Sequence, residues 1–152
     1  MQNLSIAIQK VRKRQSSMIK FEVVAGIIQQ GNKVLMCRSR GREHYYLPGG
    51  KINSGESLEE ALIRECKEEI TIDIIPSSIK LFTRFEAEAY GFEEPRIVIM
   101  NCFSFDYLGK IQAAAEIDDI FWAGMEDLEK LAPAGKVLMR LMLDENAENG
   151  VV

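Results

Sequence analysis

The segment Ser57 to Ile70 constrains this chain most, because its pattern demands a helix that turns acids toward the protein body. Ser57 and Glu60 form an S-x-x-E capping box ahead of a run of good helix formers. At about 100° per residue, Glu65 and Glu69 lie one turn apart, and Glu68 lies on the other side of Glu65. Three carboxylates therefore share one face. That face borders the apolar stripe Leu58, Leu62, Cys66 and Ile70, which brings Glu65 and Glu69 close to the interior. Like charges one turn apart cost an isolated helix about 0.2–0.5 kcal/mol, and partial burial adds to the cost. A divalent cation would relieve both by neutralising the repulsion and taking the oxygen ligands. Taken alone, three clustered glutamates are more often a solvated acidic face, screened here by Arg64 and Lys67. The residues that precede the helix shift that balance.

Leu47-Pro48-Gly49-Gly50 predicts a sharp chain reversal, and Asn53-Ser54-Gly55 a second turn. Gly50 to Gly55 has the G-x-x-x-x-G spacing of a phosphate-cradling loop. The lysine that must follow is Glu56, whose charge would repel phosphate, so that reading fails. The glycines instead permit close backbone approach, and Gly49 could turn its carbonyl toward a cation. Glu56 and Arg64 are two helical turns apart, close enough for an ion pair that pins loop to helix.

The rest of the chain supplies strands. Phe21 to Gln29 and Lys33 to Arg38, around Gln30-Gly31-Asn32, predict a hairpin. Lys80 to Tyr90 and Arg96 to Tyr107 alternate as two longer strands, and Ile117 to Ala123 forms another. Met125 to Leu131 and Ala134 to Asp144 predict C-terminal helices. Strands with few interspersed helices suggest a mixed sheet flanked by helices. The expected organisation is an N-terminal arm at residues 1–18, one domain at residues 19–144 and a loose tail at residues 145–152.

Composition removes several function classes. With 47% hydrophobic residues the chain can build a real core. Its 23 acids outnumber 19 Lys and Arg, giving a net charge of −4, which discounts duplex nucleic acid as a partner. No apolar run approaches the roughly 20 residues that span a bilayer, and the N-terminus lacks signal-peptide order, so no membrane partner is expected. Cys37, Cys66 and Cys102 are odd in number and widely spaced, which fits a reducing, cytoplasmic setting. With His44 the lone histidine, a Ser-His-Asp or Cys-His mechanism would have to use it, and a His/Cys zinc site lacks ligands. Carboxylate ligands point to a hard cation.

Gly50-x5-Glu56-x7-Arg64-Glu65-Cys66-Lys67-Glu68-Glu69-Ile70-Thr71-Ile72 resembles the Nudix box, G-x5-E-x7-R-E-U-x-E-E-x-G-U. Thr71 stands where the family has glycine, and Cys66 where an aliphatic residue is common. The resemblance implies an α/β/α sandwich around a central mixed β-sheet. It also implies Mg²⁺- or Mn²⁺-dependent hydrolysis of a nucleoside diphosphate linked to another moiety. Carried over by position, it makes Glu65, Glu68 and Glu69 metal ligands with the Gly49 carbonyl, and gives Glu56 and Arg64 the task of orienting loop and helix. The chemistry is consistent: metal ions neutralise a diphosphate before water attacks phosphorus, and a carboxylate accepts the water's proton. Glu86, Glu88, Glu93, Glu94 and Glu116 all remain candidates for that base beside the box acids.

Arg38, Arg40 and Arg42 are candidates for holding phosphate, since guanidinium forks suit its oxygens. Tyr45, Tyr46, Tyr90, Phe92 and Trp122 are candidates for stacking on a base. Tyr90 lies where dinucleoside polyphosphate hydrolases of this family often have tyrosine. The proline of the ADP-ribose hydrolases is missing, because Pro95 comes too late, and the coenzyme A motif is met only in part by Leu35, Arg38 and Ser39. The substrate therefore stays open within the nucleotide class. The main competing reading is a non-catalytic Nudix domain that binds a nucleotide or metabolite as a sensor, which the full acidic set opposes. An isomerase of the same fold and a pure interaction module rank below it. A homodimer is the base-rate expectation.

Overall fold

The computed structural model describes residues 18–149, with side-chain surroundings as far as Leu143. The N-terminal arm expected at residues 1–18 therefore lies, Met18 apart, outside the described residues, as does the end of the expected tail.

Strand β1 (Ile19–Ile27) is the centre of the molecule. Its second half, Val23 to Ile27, is buried at five successive positions, as a strand covered on both faces must be. After β1 come β2 (Gln29–Gln30), β3 (Lys33–Ser39), β4 (Gly49–Lys51), helix α1 (Leu58–Ile70), β5 (Asp73–Ile74), β6 (Lys80–Glu88), β7 (Arg96–Ser104), β8 (Tyr107–Leu108), β9 (Ile117–Ala123) and helix α2 (Pro133–Asn149). The four-stranded sheet runs β4-β1-β7-β6. β1 and β7 are parallel, from Ile19 opposite Arg96 to Ile27 opposite Ser104, while β4 and β6 are antiparallel to their neighbours. A second, antiparallel sheet runs β2-β3-β9, and β5 pairs with β8.

Alternation along the strands divides the core. Val24, Leu35 and Cys37 join Leu62, Cys66 and Ile70 of α1. Val23, Ala25, Val34 and Met36 join Leu138 and Met139 of α2. The result is the α/β/α sandwich with a mixed sheet that the box resemblance implied.

Four local expectations need correction. Gly49-Gly50 is not simply a reversal: with Lys51 it forms β4, paired antiparallel to β1 with Gly50 opposite Val24. The hairpin around Gly31 is built by β2 and β3, because β1 ends at Ile27 and gives its edges to β4 and β7. Met125–Lys130 is a 3-10 turn, a short connector ahead of α2, and α2 runs on to Asn149, past the Asp144 expected from sequence.

Candidate active site

Helix α1 begins as its capping box requires. The Glu60 amide donates to Ser57 Oγ at 3.1 Å, and the Ser57 amide donates to Glu60 Oε1 at 3.4 Å. Such a cap contributes about 1 kcal/mol and fixes the phase of the helix against the preceding loop. That phase buries Leu62, Cys66 and Ile70 completely, and it carries Glu69 inside with them at 2% exposure.

The glycines of β4 and the acids of α1 fit together. The Gly49 amide donates to Glu69 Oε1 at 2.7 Å. Gly49 has φ +150°, and a Cβ there would run into the carbonyl oxygen of Val24. A Cβ on Gly50 would sit 2.7 Å from the carboxyl carbon of Glu65. Two adjacent glycines thus let α1 press its carboxylates onto the backbone of an edge strand.

Arg64 gathers the remaining acids. Its Nε donates to Glu56 Oε2 at 2.7 Å and its Nη2 to Glu56 Oε1 at 2.9 Å, a two-point guanidinium–carboxylate contact. Nη2 also donates to the Lys51 carbonyl at 3.0 Å, and Nη1 donates to Glu65 Oε1 at 2.8 Å. Glu68 Oε2 lies 3.6 Å from Nη1 on the exposed side. Glu56 also accepts the Asn53 amide at 2.9 Å. The Arg64 contact, then that amide, hold its carboxyl down at about 2.

Glu69 is displaced the other way, up to about 9. Burial is the main cause, opposed by the Gly49 amide and reinforced by Glu65 and Glu116. Burial also raises Glu65, against the pull of Arg64. Among the described residues no three acidic, histidine or cysteine side chains already converge as a closed metal cage. Instead Glu65 is held by Arg64 and Glu69 by the Gly49 amide. The set still fits a hard divalent cation in its chemistry: oxygen donors only, with the Glu69 carboxyl buried and pushed up beside Glu65 and Glu116.

Glu116 is placed by the end of α1. The open carbonyls of its last turn are taken by the following loop, with Gln112 donating to Ile70 O at 3.0 Å and Ala114 to Glu69 O at 2.9 Å. Thr71, at φ 63° in the left-handed region, closes the helix and donates Oγ1 to Lys110 O at 3.0 Å. Ala115 is the other non-glycine residue with positive φ among the described residues, at 53°. The loop so bent carries Glu116 to the buried Glu69. Glu86, by contrast, pairs with Lys20 at 3.2 Å on the sheet surface, and Glu93 and Glu94 are exposed in the β6–β7 loop.

A cavity of about 320 Å³ opens beside Gly49 and Gly50 on the α2 side of the sheet. Phe21, Val98, Met100 and Ala134 give it apolar walls, and Arg42, Lys51, Tyr90 and Phe92 stand at its margin. Of Arg38, Arg40 and Arg42, only Arg42 lines this cavity. Arg38 reaches across to β9, 3.5 Å from Asp118 and 3.9 Å from Asp119, and lines a different depression. The Arg40 side chain is exposed while its amide donates to Glu116 O at 2.8 Å. Lys51, which the sequence did not single out, lies 5.5 Å from the Phe21 ring; it is placed there by the pairing of β4 with β1, which sets it opposite Val23 and which no local pattern signals.

The NUDIX domain family model matches residues 20–142. The chain is 32% identical over 133 residues to an 8-oxo-dGTP diphosphatase of Haemophilus influenzae, covering 82% of this chain and 92% of that protein. It is 30% identical over 114 residues to an ADP-ribose pyrophosphatase of Methanocaldococcus jannaschii, covering 72% of this chain and 64% of that one. In three dimensions it resembles the solution structure of the E. coli ORF135 protein, with a TM-score of 0.66, 29% identity, and coverage of 88% and 95% of the two chains. With the match running from β1 into α2 across the whole acidic site, the chain belongs to the NUDIX domain family and is a Nudix hydrolase.

Proposed function

We propose that this protein hydrolyses the phosphoric anhydride of a nucleoside diphosphate linked to another moiety, with Mg²⁺ or Mn²⁺ as cofactor. The observation that carries the reading is the docking of Glu65 and Glu69 onto Gly50 and Gly49, at the lip of an apolar cavity of about 320 Å³. Glu65, Glu68 and Glu69, with the Gly49 carbonyl, would hold the cation, which when bound neutralises the diphosphate and polarises its oxygens. Glu56 and Arg64 keep loop and helix in register, so the acids are positioned before substrate arrives. Glu116 is the later-loop acid that the fold delivers to Glu69. It is therefore the proposed proton acceptor for the attacking water, ahead of Glu86, Glu93 and Glu94, while Glu88 lines the cavity instead.

The cavity would take the base, with Phe21, Phe92 and Met100 supplying apolar contact and Arg42 and Lys51 facing the charged end of the ligand. The relatives support this class from two sides, one named for an oxidised nucleoside triphosphate and one for ADP-ribose.

The test is incubation with Mg²⁺ and a panel of normal and oxidised nucleoside triphosphates, ADP-ribose, dinucleoside polyphosphates, NADH, coenzyme A and nucleotide sugars, read by product mass. The expected result is a nucleotide product that has gained the elements of water, abolished by EDTA and by Glu69→Gln. Thermal stabilisation by a panel member without any turnover would replace the enzyme reading with that of a nucleotide-binding sensor.

A further inference from the structure

The Tyr90 hydroxyl is engaged within the protein. Its hydroxyl oxygen accepts two backbone amides, those of Glu43 and His44, both at 3.1 Å. These residues belong to the basic loop between β3 and β4, while Tyr90 follows β6, so the contact ties together segments more than forty residues apart in sequence. The ring is used as well. The Arg42 guanidinium lies 5.9 Å from its centroid, and His44 meets it edge-on at 5.3 Å. Gly91 leaves the space for this arrangement: it has φ +90°, and a Cβ there would come within 2.9 Å of Arg42 Nη1. Arg42 is thus seated between the Tyr90 ring and the Gly91 backbone. On the far side of the same loop Phe92 packs edge-on to Phe21 of β1 at 5.4 Å.

From this geometry we infer that Tyr90 is a positioning residue that latches the Arg42 loop over the cavity and thereby sets how tightly the charged end of a nucleotide ligand is held. The inference rests on the reading of the cavity as the substrate pocket. An arginine on an unanchored loop spreads its charge over many rotamers, and each must be frozen when an anion binds. The two amide bonds freeze the loop beforehand, and the aromatic face holds the guanidinium plane without neutralising it. Substrate affinity, rather than the chemical step, is the quantity such a latch governs.

The deciding experiment compares the parent with Tyr90→Phe, Arg42→Lys, Arg42→Ala and the Tyr90→Phe/Arg42→Ala pair. Tyr90→Phe keeps the ring and removes only the acceptor, so amide hydrogen exchange of Glu43 and His44 should quicken by about tenfold, the scale of one lost bond each. On the substrate found active in the panel, KM should rise about fivefold with kcat changed less than about twofold. Arg42→Lys should raise KM similarly while both amides stay protected, because the acceptor is untouched. Added to Arg42→Ala, Tyr90→Phe should change KM by less than about twofold, since its effect passes through Arg42. Unchanged exchange in Tyr90→Phe, or effects of Tyr90 and Arg42 that simply multiply, would overturn the latch. If the parent turns over nothing in the panel, the functional reading fails, and the exchange data still decide whether the two loops are tied.

Discussion

Arg64 and Glu56 face each other fork to fork, Nε to Oε2 at 2.7 Å and Nη2 to Oε1 at 2.9 Å, across the boundary between the glycine loop and helix α1. The same guanidinium holds the Lys51 carbonyl and Glu65, so one side chain fixes the loop, the edge strand and one of the site acids at once. A lysine can supply the charge but not the planar fork. Arg64→Lys should therefore leave the fold intact and lower kcat/KM by at least about tenfold, checked by thermal melting beside steady-state kinetics.

The Glu56 carboxyl is held near 2 in the folded protein, below its ordinary value. A depressed carboxyl contributes stability that is present above the unfolded value, near 4, and is lost as pH falls through 2. The parent should lose stability between about pH 4 and pH 2, and Glu56→Gln should flatten that part of the curve. Chemical denaturation across this range reads the difference.

Glu69 predicts the opposite slope. Raised to about 9 by burial, it stays protonated in the folded protein while the unfolded chain ionises near pH 4. Its contribution is fully present below that unfolded value and is lost as pH rises toward 9. In EDTA the melting temperature should fall from about pH 5 to pH 9, and Glu69→Gln should remove much of the fall. At pH 8, saturating Mg²⁺ should restore stability to the parent, by about 2.7 kcal/mol at a hundredfold excess over Kd. It should do little for Glu69→Gln.

Gly49 and Gly50 should respond differently to alanine. At position 49 the new methyl meets the Val24 carbonyl on a backbone of φ +150°, and neither can move without breaking the β1–β4 pairing. Gly49→Ala should cost about 2 kcal/mol or more. At position 50 the obstacle is the end of the Glu65 side chain, which can swing away. Gly50→Ala should cost less than about 1 kcal/mol yet lose most activity, because Glu65 is displaced. Urea melts and turnover measured on the same samples separate the two.

Thr71 occupies the left-handed position where the family pattern has glycine. Its strain of about 1–2 kcal/mol is offset by the bond from Oγ1 to the Lys110 carbonyl. Thr71→Val keeps the strain and loses the bond, and should destabilise by about 1 kcal/mol; Thr71→Gly removes both and should stay within about 1 kcal/mol of the parent. Equilibrium unfolding of the two variants is the check.

Sequence alone determined what depends on near neighbours. Helix α1, its capping box, the shared face of Glu65, Glu68 and Glu69, and the Glu56–Arg64 pair are all legible because helical periodicity relates residues only a few positions apart. Which strands would exist was also largely legible, since alternation is local. Partnership was not. The hairpin expected from β1 fails because that strand's two edges are taken by β4 and by the distant, parallel β7. Sequence could not tell Glu116 from Glu86, Glu88, Glu93 and Glu94; its place beside Glu69 is set by the loop that caps the carbonyls of Ile70 and Glu69. Arg38 and Arg42 looked alike, four residues apart, until Asp118 and Asp119 drew one across the second sheet and the Tyr90 ring received the other. Those outcomes are set by contacts between segments tens of residues apart, whose energies no local pattern encodes. Only packing the two helices against opposite faces of the mixed sheet decided them.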